Sequence, residues 1–241
     1  MNPVIIIPAR MASSRLPGKP LADIAGEPMI VKVWRQAIRA SLGPVLVAAA
    51  EPEIADAIER AGGRAVLTDP NLASGSDRVH AALLAADPDS EFDSVLNLQG
   101  DLPEIDPQAL RRVCEVLESS GADIATLAAP ITDPADFDNP NVVKPVVAWN
   151  GKGSGPALYF TRARAPSGEG PLYHHVGIYA FTRKALARFV SLPPSPLEQR
   201  EKLEQLRALE AGMRIEVARI DAVPLSVDTP ADLARARTLI G

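Results

Sequence analysis

Short apolar runs and longer amphipathic stretches alternate along the first half of the chain. The runs are rich in valine, isoleucine and leucine, as buried strands are, and in the amphipathic stretches the apolar residues recur three and four positions apart, as on one face of a helix. The predicted strands are 4–8, 45–49, 65–68, 95–98 and 124–129, and the predicted helices are 28–40, 54–61, 77–86 and 107–119. This order predicts an α/β fold with a mainly parallel sheet covered on both faces.

The pattern changes after Pro130. Strand-like runs at 142–149, 157–160 and 176–181 follow one another without long helices between them, which favours antiparallel pairs. A helix over 197–211, a strand over 215–220 and a last helix after Thr229 complete the chain. Pro230 suits the first turn of that helix, with Asp228 or Thr229 as its cap.

The composition bounds the class of protein. A chain of 241 residues, 46% of them hydrophobic and without a linker-like stretch, predicts one domain with a packed core. The net charge of −5 argues against a nucleic-acid partner, and the single cysteine, Cys114, excludes an internal disulfide. Since no apolar run approaches the roughly 18 residues that cross a bilayer, we expect a cytoplasmic protein without a membrane partner.

The stretch from Pro8 to Pro20, PARMASSRLPGKP, follows the first predicted strand and predicts a loop that binds phosphate groups. Arg10, Arg15 and Lys19 bring three cations together, while the hydroxyls of Ser13 and Ser14 and the bare backbone of Gly18 allow close approach to anionic oxygens. The chain contains neither GxxxxGK[ST] nor GxGxxG, which excludes the common P-loop and dinucleotide motifs. The alternative is a solvated basic connection.

Two aspartates are predicted to reach the same edge of the sheet as this loop. Asp101 follows the strand at 95–98, and Asp228 follows the late strand and a short connection. Ligands of open α/β sheets bind beyond the carboxyl ends of the strands. The alternatives are a turn aspartate at Asp101 and a helix cap at Asp228.

The segment IIIPARMASSRLPGKPL resembles the opening of the 3-deoxy-manno-octulosonate cytidylyltransferases, the CMP-Kdo synthetases. Seven further segments resemble that family in the same order along nearly the whole chain: SGSDR (74–78), NLQGDLP (97–103), NPNVVK (139–144), ALYFTR (157–162), HVGIY (175–179), PLEQREKLEQLR (196–207) and VDTPADL (227–233). The resemblance implies a Rossmann-like nucleotidyltransferase sheet, mainly parallel, with an antiparallel subregion for substrate binding and dimerisation. In this interpretation residues 1–130 mainly bind nucleotide, 131–215 mainly bind sugar and dimerise, and 216–241 return to the core.

The activity that the resemblance implies is transfer of CMP from CTP to 3-deoxy-D-manno-octulosonate (Kdo) for lipopolysaccharide synthesis. The anomeric hydroxyl attacks the α-phosphorus, pyrophosphate leaves, and Mg²⁺ is the cofactor. The implied partners are CTP, the acidic octulosonic sugar and a second copy of the chain in a homodimer.

The resemblance also implies roles for individual residues, some of which have structural alternatives. Ser74 and Arg78 also fit a simple N-cap followed by a surface arginine, and Glu204 also fits an ion-paired helix face with Arg200 and Arg207. The implied catalytic residues are Arg10, Lys19, Asp101 and Asp228, the two aspartates being the metal ligands. The implied nucleotide-binding residues are Pro8, Ala9, Arg10, Ser13, Arg15, Lys19, Ser74, Arg78, Gln99 and Gly100. The implied sugar-binding residues are Gln99, Arg162, His175, Tyr179, Glu204 and Gln205.

The neighbours His174 and His175 would point to opposite faces of a strand, so that one of them faces the site. Three departures from the family pattern lie near the implied site. The second strand ends in Ala48, Ala49 and Ala50, followed by Glu51, where the family has a motif like ATD. The segment GDLP places Leu102 where the family has an acid, and the connection from Arg162 to His174 is shorter than is typical of the family. They leave open an 8-amino analogue or another acidic sugar. A catalytically inactive CTP-binding regulator is the alternative of a different class.

Overall fold

A computed structural model describes residues 1–13 and 15–240. The strands are β1 (Pro3–Ala9), β2 (Asp23–Ile24), β3 (Glu27–Pro28), β4 (Val45–Ala49), β5 (Arg64–Leu67), β6 (Ser94–Asn97), β7 (Ile124–Pro130), β8 (Lys144–Val147), β9 (Ser154–Thr161), β10 (Tyr173–Thr182) and β11 (Ile215–Arg219). The helices are α1 (Met29–Ala40), α2 (Pro52–Arg60), α3 (Gly75–Ala86), α4 (Pro107–Ser120), α5 (Arg183–Ser191), α6 (Pro196–Glu201), α7 (Leu206–Glu210) and α8 (Pro230–Ile240). Two compact units share these elements, one formed by residues 1–111 with the segment from Pro224, the other by residues 112–223.

The first unit contains a parallel sheet in the order β5-β4-β1-β6. Residues Val4 to Ile7 of β1 are fully buried, and their β-branched and aliphatic side chains suit the centre of a sheet with helices on both faces. The predicted strands and helices of this unit are all present, within three residues at either end. The α/β fold class is therefore confirmed.

The C-terminal segment returns to this unit through a small apolar cluster. Val227 packs with Ile24, Met29 and Leu233, and its N–H donates to the carbonyl oxygen of Asp101 at 3.0 Å. Helix α8 is capped by Thr229, whose hydroxyl accepts from the Asp232 N–H at 3.2 Å while the Asp232 carboxylate accepts from the Thr229 N–H at 2.9 Å. Of the two predicted caps, the structure selects Thr229.

The second unit contains strands in the order β10-β7-β11-β9-β8. Only β7 and β11 pair in parallel, whereas β10 with β7, β11 with β9 and β8 with β9 are antiparallel. The predicted antiparallel subregion is thereby confirmed. None of the described helices is long and apolar enough to span a membrane.

The predicted continuous helix over 197–211 is wrong. Helix α6 ends at Glu201, Lys202 adopts a left-handed conformation with φ of 57°, and α7 begins only at Leu206. The side chain of Arg162 explains the break, because it donates to the carbonyl oxygens of Glu201 at 2.7 Å and Lys202 at 3.3 Å. Those carbonyls are held by a side chain distant in sequence instead of continuing a helical ladder.

Candidate active site

A cleft of about 340 Å³ opens where β1 and β6 end and α3 begins, all within the first unit. Its size is within the range of small-molecule sites. The lining contains all twelve residues predicted for nucleotide or metal binding on this side of the chain, together with Ala12, Pro20 and Gly75. Those twelve are Pro8, Ala9, Arg10, Ser13, Arg15, Lys19, Ser74, Arg78, Gln99, Gly100, Asp101 and Asp228.

The cationic loop after β1 folds back on itself. The N–H of Gly18 donates to the carbonyl oxygen of Met11 at 3.2 Å, and Gly18 adopts a φ of 72° that an L side chain disfavours. Lys19 follows directly in a short 3₁₀ turn. Ser14, whose hydroxyl the sequence suggested for phosphate, lies outside the described residues.

Lys19 joins the two predicted metal ligands. Its Nζ donates to Asp101 Oδ2 at 2.8 Å and to Asp228 Oδ1 at 3.1 Å, with 17% of the lysine side chain exposed. Burial by itself would lower the pKa of Lys19, but the charges and hydrogen bonds of Asp101 and Asp228 outweigh it and raise that pKa above its ordinary value. The lysine therefore remains cationic at neutral pH.

Asp228 contributes its carboxylate to the cleft because its neighbour caps the helix. Thr229 caps α8, so Asp228 Oδ1 is available to Lys19 and also to Arg15 at 3.2 Å. The backbone hydrogen bond between Val227 and Asp101 brings the two aspartates side by side. Two carboxylates and two cations thus meet at one end of the cleft.

The alternative for Ser74 and Arg78, a simple N-cap followed by a surface arginine, is present only in part. Ser74 is the N-cap of α3 in a capping box with Asp77, but Arg78 is 2% exposed and is no surface residue. Its guanidinium donates to Thr68 Oγ1 at 2.6 Å and to the carbonyl oxygen of Asp69 at 3.1 Å. Burial, and then the charge of Arg10, lower the pKa of Arg78. A buried cation bordering the cleft favours an anionic ligand.

Gly100 has a packing reason that the sequence did not reveal. A Cβ at this position would lie 3.1 Å from the carbonyl oxygen of Pro8 and 3.1 Å from Ile30 Cδ1, tighter than ordinary contact. The glycine thus lets the ends of β1 and β6 approach each other. Its neighbour Gln99 donates from Nε2 to Asn97 Oδ1 at 3.2 Å and lines the cleft.

The departures from the family pattern have clear structural places. Leu102 and Ala50 are buried apolar residues. Glu51, one position after Ala50, turns its carboxylate to the loop and accepts from the Met11 N–H at 2.9 Å. The short connection before His174 lines a separate cavity of the second unit with Trp149 and Tyr173.

Three of the predicted sugar-binding residues lie near one another in the second unit. The rings of His175 and Tyr179 are 5.5 Å apart. The pKa of Tyr179 is raised, mainly by burial and to a smaller extent by the charge of Glu204. His175 is buried with its Nε2 2.9 Å from Thr126 Oγ1, whereas His174 is only partly buried. Glu204 lies 4.0 Å from Arg207, which is one of the two ion pairs expected if this were only an ion-paired helix face.

Arg162 is engaged by the protein itself. Besides the carbonyls of Glu201 and Lys202, its guanidinium donates to the carbonyl oxygen of Pro140 at 2.9 Å. Its own N–H donates to Glu201 Oε2 at 3.0 Å. The Gln205 side chain is buried, and its amide nitrogen has no hydrogen-bond partner among the residues that the structure describes. Such a donor suits a polar ligand.

Two further carboxylates, Glu51 and Glu201, make contacts that the sequence analysis did not predict. The carboxylate of Glu201 accepts from Thr161 Oγ1 at 2.8 Å and from the Arg162 N–H, 39 residues away in sequence. No local pattern signals such a contact. Glu51 offered a signal, because an acid directly after a strand stands next to a cationic loop at the same sheet edge.

The buried state of His175 predicts a pH dependence of stability. Burial, and then the charge of His174, lower the pKa of His175 from 6.5 to about 3. Below pH 6.5 the imidazole is protonated in the unfolded chain but stays neutral in the folded chain. The free energy of unfolding therefore decreases as the pH is lowered, by at most about 1.4 kcal/mol per pH unit from this group. Denaturant titrations give the free energy of unfolding of wild type and His175→Gln at each pH. Plotted against pH, the two curves should run parallel between pH 7 and 8, and wild type should lose stability relative to the variant between pH 6.5 and 4. Parallel curves throughout would contradict this prediction.

A parallel sheet with cations, a helix N-terminus and paired carboxylates at its carboxyl edge is typical of α/β proteins that bind nucleotide phosphates. A family model described as cytidylyltransferase matches residues 4–215. The chain belongs to this family, and within it to the 3-deoxy-manno-octulosonate cytidylyltransferases, as the opening motif predicted.

Two relatives and one solved structure support this assignment. A 3-deoxy-manno-octulosonate cytidylyltransferase of Parvibaculum lavamentivorans is 64% identical over 99% of this chain and 93% of its own. One of Paramagnetospirillum magneticum is 58% identical over 100% of this chain and 98% of its own. A solved structure of CMP:2-keto-3-deoxy-manno-octonic acid synthetase complexed with CTP matches with a TM-score of 0.90 and 39% identity, covering 99% of this chain and 98% of that one.

Proposed function

We propose that this chain transfers CMP from CTP to the anomeric hydroxyl of 3-deoxy-D-manno-octulosonate, forming CMP-Kdo and pyrophosphate. The observation that carries the proposal is the contact of Lys19 with Asp101 and Asp228 in a cleft that also contains Arg10 and Arg15. The names of the relatives and of the CTP complex supply the substrates.

In this proposal the cations hold the triphosphate. Arg10 and Arg15 contact its oxygens, and Lys19 stabilises the charge that develops on the leaving pyrophosphate. Nucleotidyl transfer, like phosphoryl transfer, depends on positioning and electrostatic stabilisation more than on a protein nucleophile. The amides at the start of α3, next to Ser74 and Gly75, are suited to a further anionic oxygen.

Asp101 and Asp228 are proposed to hold Mg²⁺. Among the described residues no group of three or more His, Cys, Asp and Glu side chains forms a metal cage. The two carboxylates still fit this ion, because Mg²⁺ commonly takes one or two protein carboxylates and completes its shell with phosphate oxygens and water. When bound, the ion would supply charge neutralisation and a lowered pKa for the attacking hydroxyl. Lys19 would then exchange part of its contact with the aspartates for phosphate.

The sugar acid is proposed to bind through His175, Tyr179, Glu204 and Gln205 of the second unit. Gln99, in the first unit, stays a sugar contact predicted from the sequence. The amide nitrogen of Gln205, which has no hydrogen-bond partner among the described residues, supports a polar ligand there. Arg162 is retained as a predicted sugar contact, although its present partners are backbone carbonyls. The homodimer and the cytoplasmic location stay predictions from the sequence.

The test is release of pyrophosphate from each of the four nucleoside triphosphates, with Mg²⁺ or with EDTA, in the presence of Kdo, its 8-amino analogue or sialic acid. We expect release only with CTP, Mg²⁺ and Kdo, and CMP-Kdo as the second product. Release with CTP and only another acidic sugar would move the substrate assignment. CTP binding without release under any condition would refute the proposed reaction in favour of a regulator.

A further inference from the structure

The cationic loop is anchored by a carboxylate outside the set of residues that line the cleft. Glu51 is the N-cap residue of α2, yet its side chain makes no capping hydrogen bond to that helix. Its Oε2 instead accepts from the backbone N–H of Met11 at 2.9 Å, 40 residues earlier in the chain. A hydrogen bond to an ionised acceptor is stronger than one between neutral groups.

Met11 is held from both sides. Its N–H donates to Glu51, and its carbonyl oxygen accepts from the Gly18 N–H at 3.2 Å. One step closer to the sheet, the Ala50 N–H donates to the carbonyl oxygen of Ala9 at 2.9 Å and extends the pairing of β1 with β4. These bonds close the two ends of the loop against each other and against the end of β4.

The anchored point lies between the cations of the cleft. Arg10 directly precedes Met11, and Lys19 directly follows Gly18, so a shift of Met11 would move both. From Glu51 a continuous series of contacts leads through Met11 and Gly18 to Lys19 and on to Asp101.

The charge of Glu51, like its hydrogen bond to Met11, stabilises the cationic side of the cleft. Glu51 opposes the lowering of the pKa of Arg78 that burial and the charge of Arg10 produce. It therefore counteracts the mutual repulsion of two arginines that border one cleft. The structure thus contains a reason for the acid at position 51 that is independent of substrate contact.

We infer that Glu51 is a positioning residue for the triphosphate: by fixing the backbone of Met11 it holds Arg10 and Lys19 in the geometry that binds CTP. This inference rests on the proposed function. It assigns Glu51 no contact with CTP or with the reacting atoms.

The experiment compares Glu51→Ala with Glu51→Gln, whose amide oxygen can still accept from Met11. Glu53, exposed two residues later on the first turn of α2, supplies the control pair Glu53→Ala and Glu53→Gln. CTP binding is measured by calorimetry without sugar, and the kinetic constants for CTP and Kdo are measured separately. We expect Glu51→Ala to weaken CTP binding about tenfold or more, as loss of a charge-assisted hydrogen bond implies, and Glu51→Gln to recover all but about threefold. The KM for Kdo and both Glu53 variants should be unchanged.

Several outcomes would overturn the inference. They are wild-type CTP affinity in Glu51→Ala, equal losses in the Ala and Gln variants, or a lower melting temperature with an unchanged KM for CTP, which would indicate a merely structural role. Because CTP binding is measured without turnover, wild-type protein that binds CTP but transfers nothing would refute the proposed reaction and leave the Glu51 comparison valid. Wild-type protein that does not bind CTP would refute both.

Discussion

Replacement of Asp101 with Asn is expected to lower the rate of CMP transfer by roughly 10³-fold, the size of effect seen when a preorganised charge-stabilising group is removed. Asp101 makes the shorter contact with Lys19, at 2.8 Å, and is one of two carboxylates proposed to hold Mg²⁺. The amide keeps the shape of the side chain and loses its charge. Steady-state rates of pyrophosphate release, measured over a range of Mg²⁺ concentrations, test this expectation.

The fold should tolerate this change. The hydrogen bond that ties position 101 to Val227 uses the backbone carbonyl and is kept, so the melting temperature should move by no more than about 4 °C. Glu104→Gln, an exposed acid three residues later, is the matched control and should have wild-type rates. A rate for Asp101→Asn within threefold of wild type would remove Asp101 from the mechanism.

Lys19→Ala is expected to lower kcat by roughly 10²-fold and to weaken CTP binding. The variant loses the cation proposed to stabilise the leaving pyrophosphate and leaves Asp101 and Asp228 facing each other without Lys19 between them. Single-turnover measurements separate the chemical step from binding. Lys184→Ala, an exposed lysine of α5, is the control. Unchanged kinetics in Lys19→Ala would contradict phosphate binding by the loop and favour the alternative of a solvated basic connection.

The ion pairs of Lys19 are expected to lose their stabilising effect only at high pH. Because its pKa in the folded state is raised above 10.5, the stability that its ion pairs contribute is fully present below pH 10.5 and is lost only as the pH rises beyond it. Titration between pH 7 and 9 should therefore not reproduce the Lys19→Ala phenotype. A loss of wild-type activity in that range would have to come from another group.

Much of the first unit could be predicted from local pattern. The β-branched run of β1 and the spacing of the amphipathic helices depend on residues close in sequence, and so does the capping of α8. The edge of the sheet where the loop, Asp101 and Asp228 would meet followed from a general rule for parallel sheets, and the structure brings those side chains to one cleft.

The break between α6 and α7 shows where local pattern fails. Residues 197–211 have the composition of one helix, but Arg162 binds the carbonyl oxygens of Glu201 and Lys202, and the helix ends there. Helix propensity amounts to a few tenths of a kcal/mol per residue, which a hydrogen-bonded guanidinium can outweigh. The competing contact comes from a distant strand end and leaves no trace in the spacing of these residues.

Local sequence is enough to predict the alternation of strands and helices, the chemistry of the loop at 8–20 and the residue types available at the carboxyl edge of the sheet. It does not show that Lys19 joins Asp101 to Asp228 or that Glu51 holds Met11, because both are properties of the folded chain. The two kinds of property differ in the distance along the chain over which the interactions act. Periodicity and capping act over a few residues, whereas these hydrogen bonds join side chains and backbone groups that only the packed sheet brings within 3 Å or so of each other.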